Sequence, residues 1–222
     1  AAEQTLSDSS WYQGTADAVR QHLGHFLNHR FDYFLILSGD QLYNMDFRHV
    51  LDQHIKNKAE LTVATIPVNR QAVSDFGVMQ IDETRQIREF VEKPKDDGVI
   101  DSLRIPSETR IDLGLGEDED QYLASMGIYV FNRELMLDFL DSEHIDFGKH
   151  IIPEAIKKCR AFSYVYQGYW EDVGTIRTFF ESNLDAASEL PKFNFFDMKA
   201  PIFTRPRFLP GSKINGAAID HA

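Results

Sequence analysis

The stretch FDYFLILSGDQLYNMD, residues 31–46, opens as an apolar run and breaks at Ser38-Gly39-Asp40. Its first half is aromatic and branched with little alternation, the pattern of a strand buried on both faces. Asp46 then stands ahead of Phe47, Val50, Leu51, His54 and Ile55, which recur at helical spacing behind a good capping side chain. ELTVATIPV (60–68) is the next apolar strand, which Pro67 is expected to end. Strand, helix, strand in this order implies an α/β domain with a parallel, doubly wound core and right-handed crossovers.

Working outward, SSWYQGTADAVR (9–20) reads as a polar turn and an aromatic pair, then a helix capped by Thr15. Ala16, Val19, Leu23, Phe26 and Leu27 give that helix its apolar face. A helix start carries unpaired N–H groups and draws anions or polar ligands. On the other side, FGVMQID (76–82) and QIREFVEK (86–93) flank a Glu-Thr-Arg turn as a hairpin. Asp96 to Gln121 is acidic and poorly periodic, the pattern of a long surface excursion. YLASMGIYVF (122–131) is a buried strand, helices are expected at 133–140 and 147–158, and AFSYVYQ (161–167) is another strand. A tight GYWEDVG segment leads to a helix from Thr175 to about Ala187. Residues 1–190 therefore read as one domain and 191–222, with its spaced prolines, as a connector. Ile214 and Ile219 in PGSKINGAAIDHA suit either the first turn of a parallel β-helix or a frayed tail. The missing initiator Met and this ending make truncation at both ends the expectation.

The composition is that of an ordinary globular protein, 43% hydrophobic and 26% charged, long enough to bury a core without staples. The net charge of −12 disfavours a non-specific nucleic-acid partner and favours holding cations. One cysteine, Cys159, excludes an internal disulfide framework and suits a reducing compartment. No apolar run approaches the length that spans a membrane, so no membrane association is expected.

Asp40 follows the carboxyl end of a strand, where open α/β sheets bind ligands, and a carboxylate there can hold a divalent metal. The same Gly-Asp pair also occurs where the aspartate merely starts the next turn. Asp172 in GYWEDVGTIRTFF (168–180) leans toward a helix start, where an anion complements the helix dipole with or without a ligand. Together, two such carboxylates could hold one Mg²⁺ between protein and substrate phosphates. Glu92-Lys93-Pro94 closes a strand and fixes the backbone that carries Lys93. A lysine suits a phosphate monoester and Glu92 can accept sugar hydroxyls, although an exposed strand-end ion pair has the same sequence. Gly77 and Ser125 allow a ligand close to the backbone, or simple packing. No Ser/His/Asp or Cys-based nucleophile is suggested, and the histidines lack zinc-ligand spacing.

GTADAVRQ, LILSGDQLYNMD, SDFGVMQID, FVEKPK, LASMGIYVF, DFGKHIIPEAI and YWEDVGT occur here in one order. In that order the chain resembles the ADP-glucose pyrophosphorylase (glucose-1-phosphate adenylyltransferase) family over nearly its whole length. Trp11-Tyr12-Gln13 and PRFLP (206–210) are nearest to cyanobacterial and plant-type members. The resemblance implies a Rossmann-like domain with a mixed, mostly parallel sheet, followed by a left-handed parallel β-helix, in a cytoplasmic or plastid homotetramer. It implies the reaction of ATP with glucose 1-phosphate to give ADP-glucose and pyrophosphate for glycogen or starch synthesis, under allosteric control. Glucose 1-phosphate contacts would fall to Tyr12, Gly77, Glu92, Lys93 and Ser125. Mg²⁺ would fall to Asp40 and Asp172, with Asp40, Lys93 and Asp172 as the catalytic set. The nucleotide side would fall to Gln13, Gly14, Thr15, Gly39 and Asp40. The family's glycine-rich phosphate loop would lie upstream of position 1, so this stretch alone is expected to be inactive. A transferase using UTP or dTTP, or a non-catalytic regulatory subunit, are the competing readings; the retained Asp40, Asp172 and Lys93 speak against the second.

Overall fold

The structure, a computed structural model, describes residues 11–115, 120–195 and 197–203. In chain order its elements begin with α1 (Thr15–Gln21), α2 (Leu23–Leu27), β1 (Tyr33–Ile36), β2 (Gln41–Tyr43), α3 (Phe47–Lys56) and β3 (Leu61–Asn69). A 3₁₀ turn, Arg70–Asp75, leads to β4 (Gly77–Ile81), β5 (Ile87–Glu92), α4 (Asp97–Ser102), α5 (Ser107–Asp112), β6 (Gln121–Asn132) and α6 (Arg133–Leu140). A π-helical turn, Phe147–Ile151, runs into α7 (Ile152–Lys158), followed by β7 (Ala161–Val165), β8 (Trp170–Asp172) and α8 (Ile176–Ala186).

The main sheet has the order β5-β4-β6-β3-β7, with β1 on β6 beside β4. β1 and β3 point the same way, as strand–helix–strand order implies, but they are not neighbours. β6 runs antiparallel between them, pairing Tyr33–Ile36 through Asn132–Tyr129 and Leu61–Asn69 through Phe131–Gln121. Among the described residues only the β3–β7 ladder is parallel. The expected mostly parallel sheet is therefore a mixed one in which antiparallel pairs dominate. The cause is the burial of β6: Tyr122, Leu123, Ala124, Met126, Ile128 and Phe131 are all fully buried, which places this strand at the centre. Hydrophobic runs report how buried a strand is, not which strand lies beside it.

Helices cover both faces, as a doubly wound domain requires. On one face, Leu61, Val63, Leu123, Tyr129 and Phe131 pack with Ala16 of α1, Met136 and Phe139 of α6, Phe147, and Ile152 and Ala155 of α7. On the other, Ala64, Met126, Ile128 and Val130 meet Val50 and Leu51 of α3. The alternation of Leu123, Tyr129 and Phe131 with Met126, Ile128 and Val130 puts one strand's side chains into both layers. A third cluster joins Val73, Val78 and Tyr122 to Ile100 and Leu103. So the stretch read as a surface excursion forms α4 and α5, and buries Ile100, Leu103, Ile105 and Leu113.

Several local expectations shift. Gly14, not Thr15, precedes the first helix, and Thr15 is its first residue. Pro67 lies inside β3, paired with Leu123, beyond Thr65 where the β7 ladder stops, so its missing N–H breaks no bond on that side. Asp46 does cap α3, accepting the Arg48 N–H at 3.0 Å. PRFLP (206–210) and the Ile214/Ile219 repeat, with the β-helix they were read to begin, lie outside the described residues. Among the described residues no helix is long and apolar enough to cross a membrane.

Candidate functional site

The small β2–β8 ribbon solves one problem of position. Its register sets Gln41 opposite Asp172, and the Val173 N–H donates to the Asp40 carbonyl at 3.0 Å. Trp170 Nε1 donates to Gln41 Oε1 at 3.1 Å and stiffens the same ribbon. Two carboxylates far apart in sequence thus come to one place. A Cβ added at Gly174 would stand 2.9 Å from Asp172 Oδ1 and 3.4 Å from Asp40 Oδ2. Asp40 Oδ1 accepts the Ser38 hydroxyl at 2.6 Å, and Asp172 Oδ1 accepts the Gly174 N–H at 2.8 Å. Each side chain is held through one oxygen, and its other oxygen can still accept a bond.

A second acidic pair faces the same space. The β4–β5 register sets Gly77 against Glu92. A Cβ at Gly77 would meet the Phe90 ring at 2.3 Å and Glu92 Oε2 at 2.7 Å, so no other residue fits there without displacing both. A Cβ at Gly148 would lie 3.0 Å from Glu92 Oε2 and 3.6 Å from Asp146 Oδ1. Burial raises the Glu92 pKa, Lys93 and Lys149 oppose the rise, and Asp146 adds to it. Lys93 is exposed at the rim with φ 47°, a left-handed backbone unusual for a side chain, and its N–H is fastened to the Phe76 carbonyl at 3.0 Å. Strain of this kind persists only where its surroundings hold it. On β6, Ser125 Oγ accepts the Gly127 N–H at 3.2 Å and lies 3.4 Å from the hydroxyl of Tyr129, whose burial pushes its pKa up to about 12.

These groups line one open cleft of about 730 Å³. Thr15, Gly39, Asp40, Gly77, Glu92, Lys93, Ser125 and Asp172 meet there. Two other surface grooves, of about 580 and 710 Å³, lie under the Asp82–Thr84 turn and at the start of β1.

Tyr12, Gln13 and Gly14 are not among the cleft residues. The Tyr12 hydroxyl pairs with His22 Nε2 at 2.6 Å, and the Gln13 side-chain amide donates to the Trp11 carbonyl at 2.9 Å. At the start of α1 the N–H groups of Ala16 and Asp17 both donate to the Ile145 carbonyl, at 2.9 and 3.2 Å. Gly14 is required by that contact: a Cβ would sit 2.3 Å from the same oxygen. Gln41, Tyr129, Asp146 and Gly148 join the cleft without having been singled out. Asp146 does carry a signal, but it is the signal of a helix cap, and it does accept the Lys149 N–H at 2.9 Å.

Among the described residues no group of three or more His, Cys, Asp or Glu side chains could enclose a metal ion. A pair with free oxygens matches the other way of holding Mg²⁺, by one or two carboxylates with substrate phosphates completing the shell. The model of a family described as nucleotidyl transferase matches residues 1–189.

Proposed function

The chain belongs to the nucleotidyl transferase family, and from that premise we propose that it transfers the adenylyl group of ATP to glucose 1-phosphate, forming ADP-glucose and pyrophosphate. The observation that carries this reading is the pairing of acids in one cleft, Asp40 with Asp172 about Gly174 and Glu92 with Asp146 about Gly148, with Lys93 on the same rim. The choice of adenylyl and glucosyl partners is supported by the resemblance carried by GTADAVRQ and YWEDVGT.

In this reading the sugar phosphate lies toward Glu92 and the polyphosphate toward Asp40 and Asp172. Glu92 accepts sugar hydroxyls, and Gly77 leaves room for the ring against the backbone. Lys93 neutralises the phosphate monoester. An oxygen of that phosphate bonds to the α-phosphorus of ATP while the bond to the bridging oxygen breaks, its electron pair leaving with pyrophosphate. The nucleophile is already anionic, so no proton need be removed. The protein's part is positioning and charge neutralisation. Asp40 and Asp172 would hold Mg²⁺, which when bound supplies positive charge beside the phosphates.

The test is turnover by the intact protein with glucose 1-phosphate and ATP, UTP or dTTP in separate reactions, with the sugar nucleotide identified by mass. ADP-glucose formed fastest is the expected result. Faster turnover with UTP or dTTP would overturn the adenylyl assignment, and no product from any of them would overturn the function.

A further inference from the structure

We propose that Thr15 is a positioning residue for Asp146, and that α1 braces the acidic end of the cleft rather than contacting the nucleotide. The Thr15 hydroxyl donates to Asp146 Oδ2 at 3.2 Å and accepts the N–H of buried Phe147 at 3.0 Å. A hydroxyl has one proton, and here it is given to Asp146, so none is left for a ligand. Asp146 is thereby held at both oxygens, since Lys149 N–H occupies Oδ1. The rest of α1 grips the same stretch of chain. Ala16 and Asp17 donate to the Ile145 carbonyl, and Gly14 allows that approach. Arg20 Nε donates to the Leu140 carbonyl at 2.7 Å and its guanidinium also contacts the His144 carbonyl, with Asp17 holding the guanidinium at 3.3 Å. The turn from residue 140 to 145 is thus fastened to α1 by four hydrogen bonds before it delivers Asp146 beside Glu92.

The consequence for substrate rests on the reading of the Glu92 end as the sugar-phosphate end. Loss of the hydroxyl frees one oxygen of Asp146 and strands the Phe147 N–H, so binding should suffer at that end only. Thr15→Val keeps the shape and removes the hydroxyl, whereas Thr15→Ser keeps the hydroxyl. The experiment compares both with the unaltered intact protein in steady-state kinetics and, without ligand, in amide hydrogen exchange at Phe147. With Val, the KM for glucose 1-phosphate is expected to rise about tenfold, the loss of one charge-assisted hydrogen bond. The KM for ATP should stay within about twofold on the same reasoning. Ser should restore the KM for glucose 1-phosphate, and Phe147 exchange should accelerate in the Val variant alone. A raised KM for ATP with glucose 1-phosphate unchanged would show a direct nucleotide contact and overturn the proposal. An equal rise in both, or unchanged exchange at Phe147, would overturn it as well. If the unaltered protein does not use glucose 1-phosphate while exchange still follows the hydroxyl, the proposed function fails and the positioning role is supported.

Discussion

Replacing Gly174 with alanine tests the cleft where its geometry is tightest. Gly174 is exposed and its φ lies outside the left-handed region, so its backbone accepts a side chain without strain. The added methyl, however, would stand 2.9 Å from Asp172 Oδ1, the oxygen that accepts the Gly174 N–H at 2.8 Å. The carboxylate must withdraw by roughly half an ångström to restore ordinary contact. It then leaves the position that Asp40 shares with it. A misplacement of about 1 Å can cost roughly a hundredfold in rate, so about tenfold is expected for half that distance. Stability should hardly change. The smaller entropy of the unfolded alanine chain contributes about 0.4–1 kcal/mol, and a weakened exposed hydrogen bond offsets a similar amount. The assay is pyrophosphate release by the intact protein at saturating substrates across a Mg²⁺ titration, alongside a thermal melt. The expected result is a tenfold lower kcat, a higher Mg²⁺ requirement and a Tm within about 3 °C. An unchanged kcat and Mg²⁺ requirement, or a rate loss that merely tracks a fallen Tm, would refute the reasoning.

Lys93→Ala should raise the KM for glucose 1-phosphate by about tenfold or more while kcat falls much less, because the exposed ammonium is assigned to binding the ester. A large kcat loss at unchanged KM, from the same kinetics, would contradict that role. Glu92→Gln should change the pH dependence of stability. Burial raises the Glu92 pKa, so above the ordinary glutamate value the folded chain binds more protons than the unfolded one, and stability falls as pH rises toward the raised value. Glutamine removes that slope, so its Tm relative to the unaltered protein should climb across this window; a constant difference from mildly acidic to neutral pH would argue against a buried, destabilised carboxylate.

The longer strands, the hairpin and the later helices were readable from residue pattern because burial leaves a period in the chain: FGVMQID and QIREFVEK do pair, and Arg133–Leu140 is helical as read, whereas β2 and β8, three residues each, were not read as strands. The neighbour of β3 was not readable. β6 carries a strong apolar run, but its insertion between β1 and β3 depends on which surfaces cover each other, a property of the whole sheet. The stretch after Asp96 misled for another reason. Its helices are six residues each, too short to show a period, and the buried Ile100 and Leu103 come from the single turn of α4 and the residue that ends it. Within the cleft, Asp40, Glu92 and Lys93 were marked by charges at strand ends, and Asp172 by its place before a helix start. Asp146 was not, because a carboxylate that caps a helix looks the same whether or not it also borders a cleft. Thr15 read as a helix cap and a nucleotide-side residue, and nothing local in the sequence shows that Phe147 and Asp146 engage its hydroxyl.

Everything proposed about catalysis turns on Asp40 and Asp172 acting as a single ligand pair. The most direct measurement is Mn²⁺ binding in the presence of nucleotide, followed by electron paramagnetic resonance, for the intact protein, Asp40→Asn, Asp172→Asn and the double variant. One nucleotide-dependent ion per chain, weakened strongly and similarly by either substitution and little further by both together, is the expected pattern. Binding indifferent to either aspartate, or two independent losses that add in the double variant, would show that the two carboxylates do not share an ion.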